Sequence, residues 1–487
     1  MTDSAAPHHL SPPPSRRPTV PATPTTPRIR TAVTAALLAA LTAVLVVTLR
    51  AGDSHGAPGH LLVGQVLAWA LFAVAAWAVR RIPARTATGL VLAGAAAVAL
   101  AGLAAPPRTS TDMYRYAWDG RVQAAGISPY AHPPAAPQLA DLRDDWLFPT
   151  RRPCTGPALA HTDSGLCTRI NRPTVPTIYP PLAEGWFLAV HALSPPDSRH
   201  KPLQVGGAAL AFGTTLVLLA VVRRRGDPSR APALVALWAW CPLVPLEAVN
   251  NAHIDTLGVL LTVLALGTAT AGSRRGALLG AAIAVKLLPV LALPGALSGR
   301  RRPAQVVRLV APLLATVALL YLPYVLASGA QVLGYLPGYL QEEGYAAGHV
   351  QRFALPRLLL PDAAAGAVVV VLLALLAGYA WLRGDPERPW RGALLMTGTT
   401  LLLVSPNYPW YALPVVALVA LDGRWEWLAV PLAAAVLYLA GPLLIGFPLQ
   451  AVTYGAAALA VATGALSRAN GGRWPRGRGR EGLRPTA

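Results

Sequence analysis

The sequence predicts an all-α, polytopic membrane protein of about twelve transmembrane helices plus two re-entrant hairpins, with a long external loop carrying an interfacial helix. Three observations predict it. Of 487 residues 54% are hydrophobic and only 13% charged, against roughly 25% charged in an ordinary soluble domain. Apolar runs of about 18–22 residues, long enough to cross a bilayer, recur along almost the whole chain. The arginines, in turn, gather in the short segments between those runs and in the two tails.

The full spans fall at 31–49, 61–79, 87–105, 203–222, 231–249, 254–271, 304–327, 363–383, 391–405, 407–421, 428–446 and 450–466. The first is too long for a signal-peptide core and lacks a small-residue cleavage site, so it reads as an uncleaved anchor. Two further apolar segments resist a simple crossing. "YPPLAEGWFLAVHAL" (179–193) is short and interrupted by Glu184; "GALLGAAIAVKLLPVLALPGAL" (276–297) holds Lys286, Pro289 and Pro294.

Charge threads these elements. The clusters Arg80–Arg81–Arg85, Arg223–Arg224–Arg225, Arg274–Arg275, Arg300–Arg301–Arg302 and Arg383–Arg388–Arg391 belong on the cytoplasmic side by the positive-inside rule. They all land there only if both odd segments are re-entrant, which is tolerated where protein or a water-filled cavity surrounds the broken helix. The resulting organisation is a Pro-, Ser- and Thr-rich disordered cytoplasmic tail (1–30), one transmembrane domain (31–466) and a basic cytoplasmic tail (467–487). Residues 106–202 and 328–362 become external loops, and loops of this length are usually functional. The protein is expected in the cytoplasmic membrane with both termini inside.

The net charge of +20 follows from this topology and does not point to nucleic acid, since no basic block is interleaved with aromatics on an amphipathic face. Lysine occurs only at Lys201 and Lys286. Cys154 and Cys167 share the first external loop, where an oxidising compartment permits a disulfide; two free thiols are the alternative.

Five polar constellations remain. In "TDMYRYAWDGRVQAAGISPY" (111–130), Asp112, Tyr116 and Asp119 share one helical face by i, i+4, i+7 spacing, with Arg115 between them. Gly126 and Pro129 then stop the helix before Tyr130; an amphipathic interfacial helix has the same pattern. In "CPLVPLEAVNNAHIDTLGVLL" (241–261), Asn250, Asn251, His253 and Asp255 cluster at the outer boundary between two spans, either as a site or with Asn251 and Asp255 as helix caps. Glu247 lies inside the bilayer limit, where ionisable groups are costly and commonly functional. Lys286 needs an anionic partner or a path to the surface. His349 and Arg352 in "EEGYAAGHVQRFALP" (342–356) suit a phosphate, and "SPNYPWYALP" (405–414) is a Pro-broken aromatic join. Walker, dinucleotide-binding and H-E-x-x-H motifs and paired C-x-x-C are absent, so nucleotide-driven transport and zinc chemistry have no support, and no cofactor is indicated.

With these residues in view, the chain resembles the GT-C superfamily of integral-membrane glycosyltransferases. The likeness is to bacterial polyprenyl-phosphate-mannose-dependent α-mannosyltransferases: glycosyltransferase family 87 and the α-(1→6)-mannosyltransferases of actinobacterial envelopes. It is carried by Thr111–Asp112, Tyr116, Asp119, Gly126, Ser128–Pro129–Tyr130, Tyr179–Pro180–Pro181–Leu182, "NAHID" (251–255), "KLLP" (286–289) and "PWY" (409–411), over roughly 30–465. The catalytic subunit of GPI mannosyltransferase I is a more distant likeness. It has a carboxylate two residues after the first, where this chain has Tyr114, so a metal-binding D-x-D pair is not carried over.

The resemblance implies transfer of a hexose, mannose first and arabinose or glucose as alternatives, from a polyprenyl phosphate to a glycan or glycolipid hydroxyl. Asp112 would be the base, with Asp119 as runner-up or acceptor-orienting residue. His253 and Arg352 would meet the leaving phosphate, and Lys286 would join them only if its hairpin reaches that face. A transporter or flippase is the rival class, because broken helices and buried charge serve transport too. The gathering of acids in one asymmetric loop favours the enzyme.

Overall fold

A computed structural model describes residues 25–470, apart from 55, 151–153, 155, 157, 163–164, 269–270, 301, 335–337, 339–351 and 445–447. The chain is all-α. The helices are α1 (Thr25–Ala51), α2 (Pro58–Ala78), α3 (Ala84–Gly102), α4 (Asp112–Ala124), α5 (Pro181–Leu193), α6 (Lys201–Arg225), α7 (Ala231–Ala239), α8 (Asp255–Gly267), α9 (Gly272–Ile283), α10 (Leu293–Ala296), α11 (Pro303–Ser328), α12 (Asp362–Arg383), α13 (Pro389–Val404), α14 (Leu413–Asp422), α15 (Ala429–Ala440) and α16 (Leu449–Ala469). Among the described residues the strands are one antiparallel pair, β1 (Ala160–His161) and β2 (Cys167–Thr168).

Eight of the described helical segments are long and apolar enough to cross a membrane, or nine if the pair Ala231–Ala239 and Val244–Asn250, bent by 58°, counts as one span. About twelve were expected. Every predicted run is helical, but three give elements too short for a crossing: 254–271, 391–405 and 407–421 become Asp255–Gly267, Pro389–Val404 and Pro409–Asp422. Proline accounts for the last two, because Pro406, Pro409 and Pro414 interrupt one apolar stretch and each removes a backbone donor; Asp255–Gly267 contains no proline. At its other end the fold gains residues, as α1 starts at Thr25, inside the stretch expected to be a tail.

The helices run up and down so that two kinds of ends separate. Arg223 donates to Thr88 at the start of α3 (2.7 Å), Arg225 lies over Trp390 at the start of α13, and Arg391 bonds Asp422 at the end of α14 (3.1 Å). This is the arginine end. At the other, Lys201 at the start of α6 donates to Leu103, just past α3 (2.6 Å), and the Leu182 amide donates to Ala284 beyond α9 (2.9 Å).

The segment 272–300 leaves the arginine end and returns to it: Arg275 and Arg300 are close enough to repel one another, while Lys286 sits at the apex. On its way α9 packs backbone to backbone against α11. A Cβ at Gly276 would come within 1.9 Å of the Leu309 carbonyl, and one at Gly280 within 2.4 Å of that of Leu313. Glycines four apart thus permit the close helix contact that membrane packing relies on.

Between α4 and α5 the chain folds into a cap. Tyr114, Trp118 and Val122 of α4 pack on Leu139, Leu147, Phe148 and Ile170 of the following loop. Cys154 and Cys167 are joined by a disulfide. A second apolar cluster fixes the other face of α4: Met113 and Tyr116 meet Ala183 and Phe187 of α5, Ile254 and Val285. Hence α4 is clamped between cap and bundle.

Candidate active site

The site is assembled by a break in the α7 direction. Pro242 and Pro245 cannot donate backbone bonds, and Val244–Asn250 winds into a wide π turn, closed by the Asn251 amide on the Leu246 carbonyl (2.9 Å). Such turns concentrate at functional positions. Ala252 then takes φ +51°, a left-handed conformation uncommon for a residue with a Cβ, and delivers His253 into the interior.

Two adjacent asparagines hold this turn against the approach to α4. The Asn250 amide donates to the carbonyls of Gly102, Ala105 and Pro106 (3.1, 3.0 and 3.1 Å), and its oxygen accepts from the Arg108 amide (3.0 Å). Asn251 accepts from the Thr109 amide (3.3 Å) and donates to the Thr109 hydroxyl and to Glu247 Oε2 (2.9 Å). Tyr438 of α15 donates to the Thr109 carbonyl. Asp112 is thereby placed at the first turn of α4.

The Asp112 side chain is 19% exposed. Its Oδ1 accepts a 2.6 Å bond from Asn171 of the cap, and its Oδ2 lies 3.8 Å from His253 Nδ1. The other imidazole nitrogen, Nε2, is 3.2 Å from Glu247 Oε2, both side chains being fully buried. Trp410 stacks on the His253 ring at 4.0 Å and 23°, and Tyr408 stacks on Trp410. Beside them Lys286, 21% exposed, donates a 2.7 Å bond to buried Asp255 and sits 4.9 Å from the Tyr411 ring centre. Asp255 is the first residue of α8, whose N-cap position is held by Ile254. Tyr116, stacked on Phe187 at 4.4 Å, feels the charges of both Asp112 and Asp255 and so stands between the two groups.

Asp119 is elsewhere. It is buried, and Arg115 Nε donates to both its oxygens (2.8 and 3.0 Å) while Arg115 Nη1 reaches the Val175 carbonyl (3.1 Å). Glu184 of α5 faces the pair, accepting from the Thr177 hydroxyl (2.7 Å) and from Gln123 (2.9 Å). Gln123 in turn accepts from Tyr324 of α11 (2.8 Å). Burial raises both carboxyls, and the Asp119 charge raises Glu184 further while Arg115 opposes the effect at Asp119. Of the two carboxyls, Glu184 is thus the one more strongly disposed to hold a proton, and Arg115 favours the charge on Asp119.

Of the remaining predicted positions, Tyr130 donates to the Tyr179 carbonyl (2.6 Å), and Tyr179 edges onto Tyr116; both brace α4. Arg352 is buried beside Tyr454 of α16, and His349 lies outside the described residues. Sequence reasoning did not select Asn171, Glu184 or Tyr438, and it took Trp410 only as part of the aromatic join "PWY" (409–411). Only Glu184 carried a local signal, a carboxylate inside an apolar run. Among the described residues no three His, Cys, Asp or Glu side chains converge as metal ligands. A cavity of about 380 Å³ between the starts of α1 and α3 belongs to the arginine end and takes no part in the site.

An all-α membrane bundle with carboxylates, a histidine and a lysine converging at the ends of its helices is consistent with a GT-C-type glycosyltransferase. Residues 178–406 match the family model described as Glycosyltransferase family 87, and the chain is accordingly a membrane glycosyltransferase. The matched stretch includes Tyr179, Glu184, Glu247, His253, Asp255 and Lys286, while Asp112 precedes it and Trp410 follows it. No curated protein and no solved structure matches the chain.

Proposed function

We propose that the enzyme transfers a hexose, mannose in the first instance, from a polyprenyl-phosphate donor to a hydroxyl of a cell-envelope glycan or glycolipid, with inversion. The observation that carries this reading is the contrast in exposure: Asp112 is the open carboxylate at the converging helix ends, with a cationic Lys286 across Tyr116. In the reaction Asp112 takes the proton of the acceptor hydroxyl as that oxygen bonds to the anomeric carbon. The bond from that carbon to the phosphate oxygen breaks from the opposite face, and polyprenyl phosphate leaves with the electron pair. Lys286 meets the departing charge; its partial exposure suits this better than His253, both of whose nitrogens face carboxylates. Asp119 belongs to the scaffold in this reading.

The site end is read as extracytoplasmic because the arginine clusters occupy the opposite helix ends. Supplying radiolabelled polyprenyl-phosphate-mannose to membranes with and without the protein, over a panel of acceptors, tests the assignment. Label in a new glycan or glycolipid is the expected result. An untouched mannose donor alongside consumption of the arabinose or glucose analogue would replace the sugar and keep the mechanism.

A further inference from the structure

We propose that Glu247 is a positioning residue that acts through His253 on Asp112; this rests on the reading of Asp112 as the base. Glu247 is fully buried inside the bundle, in a chain whose neighbouring turn is already held without it. The prolines make the break, and Asn250 and Gln204 tie it down, Gln204 donating to the carbonyls of Ala105 (3.0 Å) and Asn250 (2.8 Å). Glu247 Oε2 accepts from Asn251 (2.9 Å) and lies 3.2 Å from His253 Nε2, while Glu247 Oε1 and both His253 nitrogens have no hydrogen-bond partner among the described residues. A half-satisfied buried carboxylate opposes folding, so its place calls for a reason other than the bend.

The geometry supplies one. His253 is clamped in plane by Trp410 and in depth by the left-handed Ala252, which leaves the choice of hydrogen position open. The negative charge of a carboxylate 3.2 Å from Nε2 favours the ring hydrogen on that nitrogen, the role of a second-layer partner beside a ligating or catalytic imidazole. Nδ1 then presents its lone pair to Asp112 at 3.8 Å. After transfer, Asp112 releases the proton it has taken from the acceptor to water by its own exposed edge, and the Glu247–His253 pair behind it sets how readily Asp112 holds that proton. The groups facing this line are Asp112 from α4, Glu247 from the π turn, Tyr438 from α15 against both carboxylates, Tyr116 and Tyr179 against Asp112, and the Lys286–Asp255 pair beyond Tyr116. The tyrosines stay neutral below about pH 10.

The test is Glu247→Gln in full-length protein in membranes, with kcat, both KM values, the pH–rate profile and the melting temperature measured alongside Asp112→Asn. A glutamine oxygen still accepts the Nε2 hydrogen but lacks the charge. The expected result is kcat lowered by roughly 10–100-fold, KM for donor and acceptor within about twofold, and an acid limb displaced from that of the unmodified enzyme. Glu247→Asp should restore part of the rate and the original limb. Wild-type kcat and profile in Glu247→Gln would overturn the proposal, and so would a lowered melting temperature with normal rate per folded molecule. Should the glutamine variant fail to accumulate, Glu247→Asp reads the same profile with the charge retained at a longer reach, and an unchanged kcat there overturns the proposal too. Full activity in Asp112→Asn would instead remove the base assignment itself, whatever Glu247 does.

Discussion

The start and the middle of α4 carry the same residue on the same helical face, and the two sites differ in everything else. Asp112 and Asp119 are seven residues apart, about 10 Å along the axis. At the first site the carboxylate is partly exposed, and it is held by a neutral Asn171 and faced by a histidine. At the second the carboxylate is buried, gripped by Arg115 and faced by Glu184. Pairing consumes the reactivity of Asp119, whereas the partners of Asp112 leave it free to accept a proton. A charge on the page of a sequence is therefore only half a statement; its counter-charge decides between chemistry and scaffold.

The largest expected effect follows from the open site. Asp112→Asn should lower the turnover by about 10²–10⁴-fold, the range of a positioned base, with the melting temperature unchanged. Equal loss of fold and rate would erase the distinction between the sites. The converse is expected at the buried site. Arg115→Ala leaves Asp119 an uncompensated buried charge, a loss of about 3–5 kcal/mol of stability, read as a fall in melting temperature in detergent. The rate per folded molecule should stay within a few-fold; a drop like that of Asp112→Asn would return Asp119 to the catalytic set.

How much of this was legible beforehand depends on the range of the contacts. The apolar runs and arginine clusters act locally, through the bilayer, and they gave the all-α membrane fold and the two opposite ends. Proline breaks were visible too, although their effect on span length was underestimated at 231–250 and 405–422. The pairing of Arg115 with Asp119 spans one helical turn and was within reach of spacing rules. Asn171 was not, since it lies in a polar loop 59 residues from Asp112 and nothing local marks it. Trp410 resembled an interfacial anchor until His253 was found beneath it. Lys286 was ambiguous because spacing cannot tell how far a broken hairpin reaches.

Those two long-range contacts sharpen the comparison. Lys286→Ala should raise the donor KM by about 10-fold, the worth of one charge-assisted contact near 1.4 kcal/mol, and it should also lower stability by exposing the need of Asp255 for a partner. A change confined to the acceptor KM would move Lys286 to the other substrate. Asn171→Ala should lower kcat by a smaller factor, about 3–10-fold, since one oriented hydrogen bond to a carboxylate contributes of the order of 1 kcal/mol to its placement. Dithiothreitol should mimic it in part, because the disulfide-bonded Cys167 lies four residues before Asn171 in the same loop. Equal sensitivity to reductant in Asn171→Ala and the unmodified enzyme would show that the disulfide acts by another route.

The smallest effect is a pH dependence of stability at the buried site. Burial and the neighbouring Asp119 charge raise the Glu184 carboxyl well above its ordinary value. The folded state therefore holds a proton that the unfolded chain releases above about pH 4.3. Unfolding then binds fewer protons than the native state, and stability falls as pH rises from that value towards the folded one. The melting temperature in detergent should thus climb as pH is lowered from neutrality towards 5, at most by about 1.4 kcal/mol per pH unit for this one group. Glu184→Gln, which keeps the shape and abolishes the titration, should flatten that slope while leaving the acid limb of the rate profile in place. If the slope persists in the glutamine variant, the proton is held by Asp119 instead, and the charge at the buried site sits on the other carboxylate.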